Sequence, residues 1–281
     1  MIIDCHTHIN NYRHEPGGAA EQIRRLRAEV ERNRLDHCFV LSSYRVNDDR
    51  PSTEEVLRLV DKDPRLHVVE GVGVTNGTDW AAIEQRLRTK ETIGLKFYPG
   101  YEHFYPTDKV FQPGVQLAGK YRVPIMIHSG DTFNPKAKLK FAHPLHVDEL
   151  AVDNPDVNFI ICHLGNPWFM DTAEIIYKND NVHADISGLV LTEFTAPLES
   201  YMLSGLKELL LFSGEHDSLL YGTDWPLVNM PTYLKFVHQL GLEPEVFDML
   251  MGGNAARLFK FPHDAKRPVV ANRRPSQGPE E

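Results

Sequence analysis

Cysteine is scarce in this 281-residue sequence: there are three, Cys5, Cys38 and Cys162. A small odd number, each inside an apolar run, does not make a disulfide framework. Cys5 and Cys162 stand next to His6 and His163. In regular strands their thiols face away from whatever those histidines face, as small buried hydrophobes. Long hydrophobic runs are also missing. None approaches the ~20 residues that a membrane-spanning helix needs, and no basic segment followed by an apolar one opens the sequence. The expectation is a cytoplasmic protein with no membrane role. Positive charge is in deficit, with 30 Lys and Arg against 39 Asp and Glu, for a net charge of −9. That excludes a broad nucleic-acid surface but not a local pocket for a small molecule. No G-x-G-x-x-G phosphate turn follows the first strand.

What is present is a regular alternation. Strand-like apolar runs fall at 2–8, 35–42, 66–74, 93–98, 123–129, 157–163, 182–187 and 218–223. Helical spacing or capping signals occupy 17–33, 52–63, 80–90, 113–121, 144–152, 170–178 and 197–212. Three further helices, at 231–240, 244–251 and 254–259, close the chain. Strands that are apolar throughout belong to a parallel sheet covered by helices. Eight such units predict a (β/α)8 TIM barrel in preference to a doubly wound open sheet. A single barrel is expected over 1–261, and 262–281 reads as a tail or arm, with Pro262, Pro268, Pro275 and Pro279 and the pair Arg273-Arg274.

Active sites of such barrels lie at the C-terminal ends of the strands. The residues found there share one chemistry. Strand one ends in His6 and His8, which sit two apart and so project from one face. Strand four carries Lys96, strand five ends in His128, strand six in His163 and strand eight in Asp224. One strand-end histidine is more often structural than functional. Imidazoles and a carboxylate gathered from several strand ends make the donor set of a transition metal.

These motifs are His6-Thr7-His8, His128, His163-Leu164-Gly165, Gly222-Thr223-Asp224-Trp225-Pro226 and Gly253-Asn254-Ala255-Ala256-Arg257-Leu258-Phe259. Together they resemble the amidohydrolase superfamily, and within it the amidohydrolase-2 branch of aminocarboxymuconate-semialdehyde decarboxylase-like enzymes. The resemblance implies a distorted barrel and one divalent metal, usually Zn²⁺. It implies His6, His8, His128 and Asp224 as ligands, with His163 and Asp224 as the catalytic pair. Zinc brings the pKa of a coordinated water to about 7. Asp224 would accept that water's proton, and His163 would hold the substrate oxygen or protonate the leaving group.

Lys96 admits two readings. Binuclear relatives carry a carboxylated lysine on strand four, bridging a second metal. The preferred reading here is an unmodified Lys96 that binds substrate beside a single ion. Tyr98 opens an aromatic loop, 98–106, that suits a wall for a flat substrate or simple packing on the rim. Arg45 could anchor a substrate carboxylate or be an ordinary loop charge. Trp168 and Trp225 could line the pocket or pack. Arg24, Arg25, Arg27, Arg32 and Arg34, interleaved with glutamates, read as a solvated helix face. The leading functional expectation is metal-dependent hydrolysis of an amide, ester or lactone bond in a small molecule. The alternatives are nonoxidative decarboxylation of an unsaturated or aromatic acid, and a noncatalytic metal-binding barrel. Monomer and homo-oligomer both stay open.

Overall fold

The computed structural model describes residues 1–262 apart from 62, 76, 191–194 and 215. Its strands are β1 (Ile3–Thr7), β2 (His37–Leu41), β3 (Leu66–Gly71), β4 (Thr92–Phe97), β5 (Ile125–Ile127), β6 (Phe159–Ile161), β7 (Val182–Asp185) and β8 (Leu219–Leu220). They stand in sequence order, each parallel to the next. Between β8 and β1 the ring is closed by backbone hydrogen bonds. Cys5 N–H donates to Tyr221 O (3.0 Å), Asp224 N–H to His6 O (2.8 Å) and His8 N–H to Trp225 O (2.7 Å). This is the expected (β/α)8 barrel.

The connecting helices are α1 (Gly18–Arg32), α2 (Thr53–Val60), α3 (Trp80–Thr89), α4 (Gln112–Tyr121), α5 (Leu145–Asp153), α6 (Phe169–Lys178) and α7 (Ala196–Ser213). The closing set is α8 (Met230–His238), α9 (Pro244–Asp248) and α10 (Asn254–Phe259). Local chemistry sets several of their ends. Ser52 accepts from Glu55 N–H to cap α2, Asp79 from Ala82 N–H to cap α3, and Asn229 from Thr232 N–H to cap α8. On α1, Ile23, Leu26 and Val30 recur at helical spacing and are buried. None of the described helices is long and apolar enough to cross a membrane.

Alternation along the strands divides the core in two. Leu95, Phe97, Ile125, Ile127, Phe159 and Ile161 pack outward beneath the helices. Ile3, Cys5, Phe39, Leu41, Val69, Met126, Ile160, Cys162 and Leu220 fill the barrel, with Ala255 and Ala256 of α10 against its floor. Each fully buried aliphatic side chain contributes about 1.5–3 kcal/mol. Phe259 packs on Phe39 (ring centroids 4.6 Å apart) and Phe261 stacks on His37 (4.5 Å), so the segment from α10 to Phe261 seals the floor.

The cysteines depart from expectation, because Cys5 and Cys162 face into the barrel. On β1 the pairing register with β2 shifts between Asp4 and Thr7. That irregularity lets Cys5 and His6 both turn inward. Thr7 faces out as expected, its hydroxyl donating to Phe39 O (2.7 Å). On β6 regular structure ends at Ile161, and His163 and Leu164 take left-handed backbone (φ 59° and 51°). Strand alternation no longer holds there. Most of the expected tail, from 263 on, lies outside the described residues.

Candidate metal centre

His6 and His8 lie at the end of β1 and Asp224 lies just past β8. Their donor atoms fall within 4.8 Å of one another, and all three residues are buried. Asp224 Oδ1 is 3.9 Å from His6 Nε2 and 3.4 Å from His8 Nε2. The left-handed backbone of Asp224 (φ 66°) brings its side chain here. The remaining ring nitrogens are committed elsewhere. His8 Nδ1 is 3.1 Å from the Leu41 carbonyl, which can only accept, so Nδ1 is a donor and Nε2 is the nitrogen turned towards Asp224. His6 Nδ1 is 2.9 Å from Asp185 Oδ2, with the same result.

Burial lowers the His6 pKa to about 4, against the pull of Asp185, so the ring is neutral at pH 7. Burial opposes ionisation of Asp224, but its contacts with His8, His6 and His163 outweigh that and hold the carboxyl below the usual range. Two imidazole nitrogens and a carboxylate thus converge in one buried space, a grouping that a cation among them would satisfy. The donor set suits a divalent transition ion.

His128 stands beside this cluster, and the close donor set does not include it. Its Nε2–H donates to the Asp131 carbonyl (3.0 Å), and its ring lies 4.8 Å from Tyr101 and 5.1 Å from His163. Burial, with the charges of His163 and Lys96, holds it neutral. His163 lies 4.8 Å from the His6 ring, and its Nδ1 contacts the Ser187 carbonyl (3.1 Å) and hydroxyl (2.9 Å). Burial lowers its pKa as well. Lys96 is wholly buried inside the barrel. Its Nζ donates to Cys162 Sγ (2.6 Å) and sits 5.3 Å from the Tyr98 ring. A second close donor set, His6 with Cys162 and Asp185, has its thiol engaged by that lysine.

Two acids at the site go unnoticed in the sequence reading. Asp185, the last residue of β7, contacts His6 and accepts from the backbone N–H groups of His163 (2.9 Å) and Ser187 (3.1 Å). Despite burial, His6 and its neighbours hold it well below the ordinary carboxylate range. The strand-end rule that marks the histidines applies equally to Val182-His183-Ala184-Asp185 and would have found it. Asp4 lies under the β1 irregularity and accepts from Thr223 N–H (3.0 Å) and hydroxyl (2.7 Å). Burial raises its pKa to about 7.

The mouth is built of tyrosines. Tyr98 stacks on Tyr44 (4.4 Å) and donates to the Ser42 carbonyl, and Tyr101 accepts from Phe133 N–H. Tyr12 lies under the Arg50 guanidinium (5.7 Å) and feels the charge of Asp224. Arg45 is exposed, with its backbone groups bonded to the Ser43 hydroxyl. Trp168 packs on His143 (4.4 Å), and Trp225 is buried against the α1 cluster. Arg24, Arg25 and Arg32 pair with glutamates along α1.

The model of the family described as amidohydrolase matches residues 3–261. No curated protein matches significantly. Solved structures share the fold at low identity. An uncharacterised TIM-barrel protein from Bordetella bronchiseptica is 16% identical with a TM-score of 0.72, covering 92% of this chain and 98% of its own. A probable 2-pyrone-4,6-dicarboxylic acid hydrolase from Acinetobacter baumannii, with citric acid bound, is 14% identical with a TM-score of 0.69, covering 92% and 99%. A dihydroxybenzoic acid decarboxylase from a Polaromonas species, with manganese and 2-nitroresorcinol bound, is 14% identical with a TM-score of 0.60, covering 84% and 85%.

Proposed function

The chain belongs to the amidohydrolase family, and from that premise we propose that it is a metal-dependent hydrolase cleaving an amide, ester or lactone bond in a small molecule. The observation that carries this reading is the convergence of His6 Nε2, His8 Nε2 and Asp224 Oδ1, all on buried residues, beside His163. These three residues would hold one divalent ion, zinc by preference, with His128, which feels the charge of Asp224, as a further donor. When bound, the ion supplies Lewis acidity and lowers the pKa of water.

The chain's own groups divide the proton work. Asp224, held as a carboxylate, accepts the proton of the attacking water. His163 is neutral with its Nδ1–H given to the Ser187 carbonyl, so Nε2 is its basic nitrogen. It takes over from Asp224 the proton removed from the water and delivers it to the leaving atom. Tyr98, Tyr44, Tyr12 and Tyr101 bound a slot for a flat substrate. Arg50, over the Tyr12 ring at 5.7 Å, rather than Arg45 would meet a substrate carboxylate there. The engagement of Lys96 with Cys162 supports one ion per chain without a bridging carboxylated lysine. The three buried free thiols suit a reducing compartment such as the cytoplasm.

Decarboxylation of an aromatic acid is the second reading, and the rings gathered near the site, Tyr98 stacked on Tyr44 and Tyr101 against His128, are the observation that favours it. Metal-loaded protein assayed over a panel of lactones, esters, amides and aromatic acids separates the two. Hydrolysis is expected to release protons without CO₂. CO₂ release from an acid substrate, with no lactone, ester or amide cleaved, would replace the first reading with the second.

A further inference from the structure

We propose that Asp185 and Ser187, at the end of β7, form a positioning device that locks His6 and His163 each as the tautomer protonated on Nδ1. The device thereby decides which nitrogen of His6 is free to meet a metal ion. The inference rests on the reading of His6 as a metal donor given above.

The hydrogen-bond directions leave one consistent assignment. Asp185 is surrounded by donors alone. Oδ2 faces His6 Nδ1 (2.9 Å), and Oδ1 accepts from His163 N–H (2.9 Å), Ser187 N–H (3.1 Å) and the Ser187 hydroxyl (2.5 Å). The Ser187 proton is thus spent on Asp185, which leaves its oxygen as an acceptor. That oxygen lies 3.0 Å from His6 Nδ1 and 2.9 Å from His163 Nδ1. The Ser187 carbonyl, an obligate acceptor, is 3.1 Å from the same His163 nitrogen. Both rings therefore donate from Nδ1 and keep a lone pair on Nε2. His6, Asp185 and Ser187 are buried and His163 is half-buried, with its Nδ1 turned to Ser187. One carboxylate orients two imidazoles from two different strands, with a single serine hydroxyl between them.

Asp185→Asn isolates the effect. The substitution keeps shape but replaces one acceptor with an NH₂ donor. Oδ1 must remain an oxygen to meet its three donors, so the NH₂ faces His6 Nδ1. His6 is then forced to carry its proton on Nε2, the position needed for the ion. Second partners of metal-bound histidines typically contribute 10–100-fold in affinity, and that loss in Zn²⁺ affinity, read by chelator competition, is expected for D185N. Ser187→Ala leaves the Asp185–His6 bond in place and is expected to lose less.

The direct readout is two-bond proton–nitrogen NMR of the histidine rings in metal-free protein. Wild type should show His6 and His163 protonated on Nδ1, and D185N should show His6 moved to Nε2 at an unchanged far-ultraviolet circular dichroism spectrum. A metal-free wild type with His6 protonated on Nε2 overturns the proposal without any variant having to fold. So does a D185N protein that folds and binds Zn²⁺ as tightly as wild type. If wild type binds no divalent ion but shows the Nδ1 tautomers, the functional reading above fails and the tautomer lock stands.

Discussion

Asp224 combines two duties at one carboxylate, since it closes the donor set with His6 and His8 and is the group placed to take a proton from water. Asn keeps one oxygen for the ion but cannot serve as a base. Asp224→Asn is therefore expected to retain part of the metal affinity while turnover falls about 10²–10⁴-fold, the usual contribution of a positioned base. Metal titration beside initial rates checks this, and wild-type rates in the variant would remove Asp224 from the proton path. His6, His8 and Asp224 were legible in the sequence because spacing alone places i and i+2 on one strand face and because all three end strands. Asp185 ends a strand too and the same rule reaches it; what the sequence does not show is its partner, His6, 179 residues away. Cys162 misled for another reason. It keeps the inward alternation of Ile160, and it is His163 that leaves the alternation through its positive φ, which no side-chain pattern announces.

At the scale of elements, the turn after β7 is where packing is tightest around the chemistry. Gly188 has φ 65°, and a Cβ there would lie 3.1 Å from both Asp224 Oδ2 and His163 Nδ1. Its N–H donates to Thr223 O (3.2 Å), tying β7 to the segment that carries Asp224. Gly188→Ala is expected to lower stability by about 1–3 kcal/mol, from the strained backbone. Activity should fall by at least ~10-fold, because small misplacements at a reacting centre are costly. Urea denaturation and initial rates report the two losses separately, and full activity would show that the turn has slack. The elements themselves were readable from periodicity and capping: Ser52 caps α2 at the start of its expected segment, and of the two candidates before α3, Thr78 and Asp79, it is Asp79 that caps. Strand ends were not, since β5, β6 and β8 stop earlier than their apolar runs suggest. The chain leaves regular pairing there to aim side chains.

For the whole molecule, acid stability should be governed in part by histidines far from the chemistry. His37 and His67 meet at the barrel floor (3.0 Å) beneath Phe261, and burial lowers both pKa values, that of His67 to about 4. In the unfolded chain each titrates near 6.5, so below that pH the unfolded state binds more protons. The stability they provide is complete above about pH 6.5 and is lost as pH falls towards 4, at no more than about 1.4 kcal/mol per pH unit for each group. Urea midpoints measured across this range should fall less steeply in His67→Gln than in wild type, and equal slopes would assign the acid sensitivity elsewhere. The barrel as a whole was legible because eight alternations of strand and helix admit few closed packings. Its floor was not, because contacts between Phe261 and residues on β2 and β3 join distant parts of the chain. The seam between β8 and β1 has a temporal consequence. Its hydrogen bonds run from residues 5–8 to residues 221–225, the same stretches that carry His6, His8 and Asp224. A ribosome that has made seven of the eight strands has made no site, and the first two histidines wait in an open sheet until the last strand emerges to meet them.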